Sequence, residues 1–566
     1  MSYLWKTPDK IKQEVLDLYP ELHPIVAQLL FNRGLKTQEQ IDEFLNPDYG
    51  QDIHDPFLFA DMDKACQKIY QAIDKQELII VYGDYDADGV SSSVILATTL
   101  KKLGATVEVY LPHREKEGYG LNTKAIEELA KNNTKLIITC DCGVTNIEEV
   151  KFAKEKNIDV IITDHHAALD KLPEAVAIIH PQVDEKYPFK WLAGGGVAFK
   201  LAQGLLHHKN NKLDKQDKEK QEKWLLDMVA ISTVADMVPL LGENRTLVKF
   251  GMIVLRKTKR LGLQKLLEVA KLDPDKIDAR SIGFTIAPRI NAAGRMDHAN
   301  LAYYLLMQED ESEAMKEAIE LNNSNLARQR LTEQIIKEAK EVEIDESQSL
   351  LIFYKPGWPA GLTGLVAGRL SRDFARPAFV LTDNNDQIVG SGRSIEGFNI
   401  TDALKKNEDL LIKYGGHPQA CGFTIDPKNL EEFKTKIQTI ANQELKNKKF
   451  QKTLDIEMQV NFEDINWDLA DVVDKFSPFG KDNEEPLFVS EDVNISALRK
   501  VGKDQTHLKL EFSKNNKNIA AIAFGMAKLE LSVGDKVDIV YNLSINQWNG
   551  NREIQLMIKD IKQHES

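Results

Sequence analysis

From Leu78 the sequence alternates short apolar runs rich in β-branched residues with longer amphipathic stretches. The runs ELIIVYG, TVEVYLP, KLIITC, DVIIT and AVAIIH predict strands, and the stretches that separate the first four predict helices. Strands that alternate with helices are typical of a parallel, doubly wound α/β sheet. In such sheets the sites form outside the carboxyl ends of the strands, so the residues that follow each strand are the first candidates for chemistry.

Two later regions have patterns of their own. The strand SLLIFYK, the glycine-rich GWPAGLTGLVAGRL and the runs PAFVLT and IVGSGRS predict a second, smaller α/β domain. After the lysine-rich ELKNKKFQK (444–452), the alternating runs HLKLEFS, IAAIAFG, KVDIVYNLSI and EIQLMIK predict a small all-β barrel of the OB type. Phe512 and Trp548 are candidates there for stacking on bases, and each fits the barrel core equally well.

These patterns divide the 566 residues into five predicted segments. They are an irregular, partly helical lead-in (1–75), a larger α/β domain (76–320), a connector helix (321–346), the smaller α/β domain (347–445) and the barrel (452–566). The lysine-rich stretch would then be a linker, and we expect a chain that ends near Phe450 to keep its site. The polar run 207–223 favours a solvated surface segment, and 224–240 predicts a buried helix that ends near Asp236.

Composition narrows the protein class. Four cysteines without regular spacing, no apolar signal segment and no apolar run of about 18 residues favour a reducing, cytoplasmic location without a membrane span. The formal charge of −14 argues against a protein that coats nucleic acid. It does not exclude an enzyme that binds nucleic acid in one channel, because local charge decides such binding.

The first candidate site is the turn VYGDYDADGV after the strand LIIV. Asp84, Asp86 and Asp88 place three carboxylates in a small volume, which raises their pKa values unless cations neutralise them. Hard oxygen ligands suit Mg²⁺ or Mn²⁺. The alternative is a calcium loop of the EF-hand kind, but its twelfth position is Ile95 where such loops have a glutamate.

Three further turns carry acidic residues or histidines. Asp141 follows the strand LIIT, and Asp164, His165 and His166 follow the strand DVII. Asp236 is the one acidic residue of the otherwise apolar TVADMVPL, where a structural role is the more common one for a single aspartate. The cysteines at 140 and 142 lack the second pair of a structural zinc site, which favours buried, inert thiols.

The later segments offer groups suited to a phosphate. Gly415 and Gly416 precede His417 and permit close approach of a ligand to the backbone. Ser391 and Arg393 supply a hydroxyl and a guanidinium. Further candidate guanidinium groups, each of which could equally be part of a surface ion pair, belong to Arg114, Arg289 and Arg295.

Taken in order, the four turns resemble the motif series of the DHH phosphoesterase superfamily. The forms GDYDADG, DCG-x-x-N, TDHH and VAD-x-x-PL, together with LPHREKEGYGL, APRINAAGRM and GGH, resemble its single-strand-specific 5′ exonucleases from about residue 50 to the C-terminus. The resemblance implies a doubly wound DHH domain, a helical connector, a smaller α/β DHHA1 domain and an OB-like barrel.

The resemblance also implies roles for the candidate residues. Two divalent cations, Mn²⁺ or Mg²⁺, would be held by Asp84, Asp86, Asp88, Asp141, His165 and Asp236, with Asp141 and Asp236 shared between them. One aspartate of the first turn could instead support the ligands, and which one stays open. Asp164 would orient a histidine, and His166 would face the scissile phosphate. For His417 the paired glycines beside it, and not the resemblance, predict contact with the same phosphate. The 5′-phosphate end would be held by Arg114, Arg295, Ser391 and Arg393.

One position departs from the family pattern. The family usually has a Trp-His pair where this chain has Trp358 followed by Pro359. Trp358 stays a candidate substrate contact, and any contact that the usual histidine makes is lost or replaced, because proline has no polar side-chain group.

The implied function is 5′→3′ hydrolysis of single-stranded DNA to 5′-mononucleotides, in DNA recombination and repair. The alternatives are an oligoribonuclease or nucleotide phosphoesterase of the same superfamily and a non-catalytic replication scaffold. The barrel favours the exonuclease over the former, and the full set of candidate ligands argues against the latter. The implied partners are single-stranded DNA with a 5′ end, a RecQ-type helicase and a single-strand-binding protein, and a monomer is expected.

Overall fold

The computed structural model describes residues 3–342, 344–345, 347–446, 448, 450–548 and 551–564. The chain forms two compact units. The larger unit contains His54–Asp236 and Phe250–Phe450, and the smaller unit contains Met1–Ile53, Met237–Lys249 and Gln451–Ser566. None of the described helices has the length and apolar character that a membrane span needs.

The predicted lead-in contains regular elements that belong mostly to the smaller unit. They are β1 (Leu4–Lys6), α1 (Gln13–Leu16), α2 (Pro24–Asn32) and α3 (Gln38–Leu45), followed in the larger unit by α4 (Met62–Asp74). A capping box of Thr37 and Gln40 begins α3. The apolar side chains of α2 and α3 pack into the same core as the C-terminal strands, so the first 53 residues complete the barrel unit.

A five-stranded parallel sheet forms the centre of the larger unit, with strand order β3-β2-β4-β5-β6. Its elements are β2 (Leu78–Gly83), α5 (Ala87–Lys102), β3 (Val107–Tyr110), α6 (Thr123–Lys131), β4 (Thr134–Cys140), α7 (Ile147–Glu155), β5 (Asp159–Thr163), β6 (Ala177–Ile179), α8 (Gly194–His207), α9 (Lys215–Trp224) and α10 (Leu226–Ala235). The chain reverses direction across the sheet between β3 and β4, which makes the carboxyl ends of β2 and β4 the expected place for a site. The predicted α/β class is confirmed.

Helices connect this sheet to the second one. They are α11 (Gly242–Arg256), α12 (Leu261–Val269), α13 (Ala279–Ser281), a π-helical turn (Ile282–Ile286), α14 (Ala287–Met296), α15 (Asn300–Met307) and α16 (Glu311–Lys340). The connector helix α16 begins ten residues before its predicted start, because the side chain of Asp310 caps it by accepting a hydrogen bond from the amide of Glu313. As predicted, α10 ends next to Asp236, and the polar run contains the largely exposed helix α9.

The second sheet has the order β10-β11-β9-β8-β7, and only β7 and β8 run parallel. Its elements are β7 (Leu351–Tyr354), α17 (Thr363–Phe374), β8 (Ala378–Asn384), β9 (Gln387–Arg393), α18 (Ile400–Lys405), β10 (Leu411–His417), β11 (Ala420–Ile425) and α19 (Leu430–Glu444). This is the predicted smaller α/β domain, with a mixed sheet.

The C-terminal strands form the predicted barrel, which is closed by pairing of β14 with β17. Its elements are β13 (Met458–Gln459), α20 (Trp467–Asp474), β14 (Leu487–Val501), β15 (His507–Lys514), β16 (Lys517–Ala523), β17 (Lys536–Trp548) and β18 (Asn551–Gln563). The preceding strand, β12 (Thr453–Asp455), pairs with β1 in a separate two-stranded sheet. Phe512 is fully buried in the barrel core, so the stacking interpretation is wrong for this residue. The side chain of Trp548 lies outside the described residues.

Candidate active site

The acidic turns meet at the carboxyl ends of three neighbouring strands. Asp84 follows β2, Asp141 follows β4 and Asp164 follows β5, while Asp236 caps the C-terminus of α10. The backbone of Asp141 adopts the left-handed conformation, with φ of 62°, which is uncommon for a residue with a side chain. Such local strain is typical of functional sites.

The carboxylates and histidines form three groups in which the possible ligand atoms lie within 4.8 Å of one another. The groups are Asp84 with Asp86 and Asp141, Asp88 with His165 and Asp236, and Asp141 with His165 and His166. Asp141 takes part in two groups, as expected for a bridging ligand. Asp236 takes part in one, with Asp88 and His165, so the geometry supports its predicted bridging role less.

Asp88 is held in place by three donors that lie far from it in sequence. Its Oδ2 accepts a hydrogen bond from the amide of Gly194 at 2.8 Å, and its Oδ1 accepts from the amide of Gly195 at 2.8 Å and from the hydroxyl of Ser232 at 2.6 Å. A Cβ atom at Gly195 would lie 2.3 Å from the Ser232 hydroxyl oxygen, and one at Gly194 would lie 2.7 Å from Cβ of Asp141. Only glycine fits at these positions, at the start of α8.

Asp86 begins the helix that follows the first turn. Its Oδ1 accepts hydrogen bonds from the amides of Asp88 and Gly89, at 2.8 and 3.1 Å, and so caps α5. The amide of Ala87 donates to Oδ1 of Asn291 in α14 at 2.8 Å. The conformation of the aspartate turn is thus set both by its own helix and by α14.

His165 lies among three carboxylates. Its Nε2 atom is 3.0 Å from Oδ1 of Asp141 and 3.6 Å from one oxygen each of Asp88 and Asp236. Burial, assisted by the charges of the neighbouring histidines, outweighs the negative charges of Asp88 and Asp164 and lowers the pKa of His165 to about 4. A neutral imidazole surrounded by carboxylates is the form that binds a metal ion.

His166 is fixed by a carboxylate behind it. Nδ1 of His166 lies 2.8 Å from Oδ1 of Asp164. The same Asp164 oxygen accepts hydrogen bonds from the amides of His165 and His166, and Oδ2 of Asp164 accepts one from the amide of Val144. Burial opposes charge on this pair, but the hydrogen bond outweighs it, raising the pKa of His166 to about 9 and lowering that of Asp164 to about 2. The predicted orienting role of Asp164 fits this geometry.

The carboxylates have the chemistry of a cation site. Burial and the charges of neighbouring aspartates raise the pKa values of Asp84, Asp141 and Asp236 well above the usual range. The Oδ1 atom of Asp84 is buried without a hydrogen-bond partner among the described residues. A buried anionic oxygen without a partner is costly unless a cation binds it, so the residues present fit hard divalent ions.

The two competing metal interpretations do not fit. The aspartate turn joins a strand to a helix, whereas an EF-hand loop joins two helices, and Ile95 is buried within α5. Cys140 and Cys142 are buried free thiols, and burial raises the pKa of each. Among the described residues no group suited to a metal contains a cysteine, and the inert role of these thiols stays a prediction.

Three of the predicted arginines lie close together beside the aspartate turn. The Arg114 guanidinium lies 4.9 Å from the centre of the ring of Tyr85, the residue between Asp84 and Asp86. Burial and the positive charge of Arg114 lower the pKa of Arg295 to about 9, and burial and the same charge lower that of Arg393. In the described part of the chain none of the three forms an ion pair with a carboxylate.

Ser391 lies next to this cluster, at the N-terminus of a helix. Its hydroxyl is 2.9 Å from that of Thr363, the first residue of α17. An added Cβ at Gly364 would lie 3.5 Å from a terminal nitrogen of Arg393 and 3.7 Å from the Ser391 hydroxyl oxygen. Hydroxyl groups, a guanidinium and a helix N-terminus together favour an anion.

The GGH segment forms the end of an edge strand in the smaller α/β domain. Gly415, Gly416 and His417 are exposed at the end of β10, where Gly416 has φ of 145° and an added Cβ would lie 2.2 Å from the carbonyl oxygen of Ala420. Partial burial and the charge of Arg393 lower the pKa of His417. His417 is therefore near the arginine cluster.

Two predicted substrate residues have other partners. Arg289 donates to the carbonyl of Thr285 at 2.8 Å and to the side chain of Asn322 at 3.1 Å. Trp358 is only 8% exposed and its Nε1 donates to Glu338 at 2.9 Å. The Trp358 side chain packs in the core between α16 and the second sheet, so the expected substrate contact is corrected to a packing role.

Several residues of the site escaped prediction. They are Gly194 and Gly195, Ser232, Tyr119, Thr363 and Arg328, whose positive charge also acts on Arg295. The glycine run LAGGGVAF before a helix was a usable signal for close packing. A single serine, tyrosine or arginine in a helix or loop gives no such signal.

Three family models match the chain. The model described as DHH family, N-terminal domain, matches residues 78–233, the DHHA1 domain model matches 347–443 and the RecJ OB domain model matches 456–560.

Curated relatives match over nearly the full chain. The single-stranded-DNA-specific exonuclease RecJ of Bacillus subtilis (strain 168) is 38% identical over 567 residues, which is 98% of this chain and 70% of that protein. The protein of the same name from Escherichia coli (strain K12) is 31% identical over 574 residues, 97% of both chains.

Solved structures share the fold. The crystal structure of RecJ in complex with Mn²⁺ from Thermus thermophilus is similar with a TM-score of 0.82 and 28% identity, over 99% of this chain and 80% of that one. The structure of RecJ in complex with Mg²⁺ from the same organism has a TM-score of 0.77 and 26% identity, over 99% and 79%.

Proposed function

This chain belongs to the RecJ family, and on that premise we propose how its residues degrade single-stranded DNA. It is a single-strand-specific DNA exonuclease and a hydrolase of phosphodiester bonds. Its cofactors are divalent cations, Mn²⁺ or Mg²⁺. The oligoribonuclease, nucleotide phosphoesterase and scaffold alternatives are not favoured.

The ligands of one cation would be Asp84, Asp86 and Asp141, and those of the other Asp88, His165 and Asp236, with Asp141 as the bridge. The grouping of these side chains supports this division. When bound, two divalent ions would supply a water of lowered pKa and would neutralise charge on the attacking and leaving oxygens. Gly194, Gly195 and Ser232 donate hydrogen bonds to Asp88 and so fix the position of this candidate ligand relative to the others.

His166 would contact the scissile phosphate. Asp164 fixes the His166 ring through Nδ1, and the side chain of His166 remains 41% exposed at the site. A protonated imidazole would stabilise the negative charge that develops on the phosphate oxygens. His417, near Arg393, would contact the same phosphate from the smaller α/β domain.

We propose 5′→3′ polarity, and the observation that carries it is the position of the arginine cluster beside the aspartate turn. The Arg114 guanidinium lies over the ring of Tyr85, the residue between Asp84 and Asp86 in the sequence. Its positive charge contributes to the lowered pKa values of Arg295 and Arg393. A terminal phosphate carries more charge than an internal diester, so paired guanidinium groups select a strand end. A 5′-phosphate held by these guanidinium groups would bring the first phosphodiester bond to the candidate metal ligands, so that 5′-mononucleotides are released.

The experiment that tests this proposal uses end-labelled oligonucleotides with Mg²⁺ or Mn²⁺. We expect label at the 5′ end of single-stranded DNA to be released first as a mononucleotide, and RNA and duplex to be degraded more slowly. Early release of the 3′ label would mean that the polarity is reversed and the pocket is misassigned. The role in recombination and repair, the RecQ-type and single-strand-binding partners, the monomeric state and the cytoplasmic location stay predictions.

A further inference from the structure

One tyrosine hydroxyl joins two turns of the site. The Tyr119 hydroxyl donates to the carbonyl oxygen of Asp141 at 3.0 Å and lies 2.9 Å from Nδ1 of His166. The Tyr119 ring also meets the His166 ring edge to face, with centroids 5.3 Å apart. Asp141 follows β4 and His166 follows β5, so a single oxygen atom spans the ends of two strands.

The loop that carries Tyr119 is anchored without this hydroxyl. Gly118 and Gly120 have φ of 83° and 84°, and an added Cβ at Gly120 would lie 2.6 Å from Oδ1 of Asn146. The Asn146 side chain accepts from the amide of Leu121 at 3.1 Å and donates to its carbonyl at 3.3 Å. Loss of the Tyr119 hydroxyl should therefore leave the loop in place.

The protons of this network can be assigned from its acceptors. The carbonyl of Asp141 only accepts, so the Tyr119 hydroxyl proton is donated to it. The hydroxyl oxygen then accepts from Nδ1–H of His166, and Oδ1 of Asp164 accepts from the same N–H at 2.8 Å. Two acceptors on different elements thus hold one N–H, which fixes both the tilt of the ring and the direction of Nε2.

We propose that Tyr119 is a positioning residue that holds the His166 imidazole in one orientation for hydrolysis. This rests on the proposed role of His166. Without the hydroxyl, Asp164 would be the one hydrogen-bond acceptor left for Nδ1 among the described residues, since the nearest oxygen of Asp141 is 3.6 Å away. A single acceptor permits the ring to tilt. Tyr119 would therefore contribute to turnover through His166 and leave metal binding and strand binding unchanged.

The test is Tyr119→Phe, with Tyr82→Phe as the matched control. The Tyr82 hydroxyl donates to the carbonyl of Gly120 in the same loop at 3.1 Å but does not contact His166. With a short 5′-phosphorylated strand, kcat of Tyr119→Phe should fall about tenfold, the value of one hydrogen bond, while KM and the Mn²⁺ concentration for half-maximal rate stay unchanged. Tyr82→Phe should turn over at a rate close to wild type.

A double-mutant cycle decides whether the effect passes through His166. His166→Ala alone tests the proposed role of the histidine, since that variant should lose turnover. Adding Tyr119→Phe to His166→Ala should cause no further fall. A further tenfold fall, an unchanged kcat in Tyr119→Phe, or a raised Mn²⁺ requirement in that variant would each overturn the proposal.

A readout on the metal-free protein is independent of activity. A hydrogen-bonded imidazole N–H gives a low-field proton resonance, and the His166 signal is identified by its loss in His166→Ala. It should be displaced in Tyr119→Phe and unchanged in Tyr82→Phe. An identical His166 resonance in Tyr119→Phe would show that the hydroxyl does not hold the ring.

Discussion

Asp141 is the candidate bridging ligand, because its carboxylate is grouped both with the two aspartates of the first turn and with the two histidines that follow β5. Asp141→Asn should fold and bind single strands, yet hydrolyse them at least about a thousandfold more slowly, since an amide is a poor bridge between cations. Single-turnover digestion and strand binding by fluorescence anisotropy measure the two effects. Asp170→Asn, at an exposed carboxylate of the same domain, is the control. Near-normal turnover of Asp141→Asn at limiting Mn²⁺ would contradict the assignment.

The same residue leads to a prediction about stability. Burial and the charges of Asp88, Asp86 and Asp84 raise the pKa of Asp141, so in the absence of metal its ionised form destabilises the fold. Mn²⁺ at 100 times its dissociation constant should stabilise the wild type by about 2.7 kcal/mol, and Asp141→Asn should lose most of this gain. Thermal unfolding with EDTA and with Mn²⁺ measures it. Equal Mn²⁺-induced shifts in the two proteins would count against a metal at Asp141.

Arg393 is the residue on which recognition of the terminal phosphate is expected to depend. Arg393→Ala should lower kcat/KM for 5′-phosphorylated strands by roughly 10- to 100-fold and change that for 5′-hydroxyl strands little, because a hydrogen bond to a charged group contributes about 1.5–3 kcal/mol. Arg393→Lys should restore only part of this, since a point charge lacks the guanidinium fork. Arg369→Ala, at an exposed arginine of α17 paired with Asp373, is the control. An unchanged preference for the 5′-phosphate in Arg393→Ala would remove the pocket from the proposal.

At the scale of elements, the sequence pointed to the candidate ligands and missed the residues that hold them in place. Asp84, Asp141 and Asp164 could be found because each follows an apolar strand, and strand ends meet at one edge of a parallel sheet. Ser232 could not, because it is a single hydroxyl near the end of a mostly apolar helix and touches Asp88 only after α5, α8 and α10 pack together. Trp358 was misassigned for the same reason, since burial is decided by packing against α16.

The packing of α8 and α10 against α5 gives a prediction of its own. Ser232→Ala removes one of the three donors to Asp88, so the Mn²⁺ concentration for half-maximal rate should rise about 10- to 100-fold, with kcat at saturating Mn²⁺ largely kept. Ser93→Ala is the matched control, because that buried hydroxyl of α5 donates to the carbonyl of Gly89 and not to a carboxylate. If both variants need the same Mn²⁺ concentration for half-maximal rate, the hydrogen bond from Ser232 to Asp88 does not affect the Mn²⁺ affinity of the site.

At the scale of the whole molecule, the largest departure from the sequence prediction is the origin of the smaller unit. The chain order suggested a separate lead-in and a barrel after a linker, but residues from three distant segments form one core. Arg245 shows the cause: it is 1% exposed, stacks 4.0 Å from the ring centre of Phe44 and donates to carbonyls of 475–478. Local periodicity predicts each segment but does not state which distant segment it packs against.

Because of this shared core, the N-terminal residues 1–53 and the C-terminal barrel depend on each other for stability. A chain that ends at Phe450 should not be a clean deletion of the barrel, because Ile25, Leu29, Leu30 and Phe44 lose the core in which they are buried. We expect residues 1–53 of that protein to be cleaved rapidly in limited proteolysis and the protein to aggregate on size exclusion. A chain that begins at His54 should in turn destabilise the barrel.

Two point variants test this dependence in the full-length chain, with the barrel still present. Leu30→Ala should destabilise the smaller unit by about 2–5 kcal/mol, since Leu30 is fully buried in the shared core. Leu18→Ala, at a leucine that is 70% exposed in the same segment, should change stability by less than about 0.5 kcal/mol. Denaturant unfolding measures the free energy of unfolding of each variant, with cleavage of the barrel strands by a protease as the probe of unfolding. If residues 1–53 stay protected in the chain that ends at Phe450, or if Leu30→Ala leaves the barrel strands as stable as Leu18→Ala does, the N-terminal segment folds on its own. The barrel could then be removed without affecting it, as the sequence alone suggested.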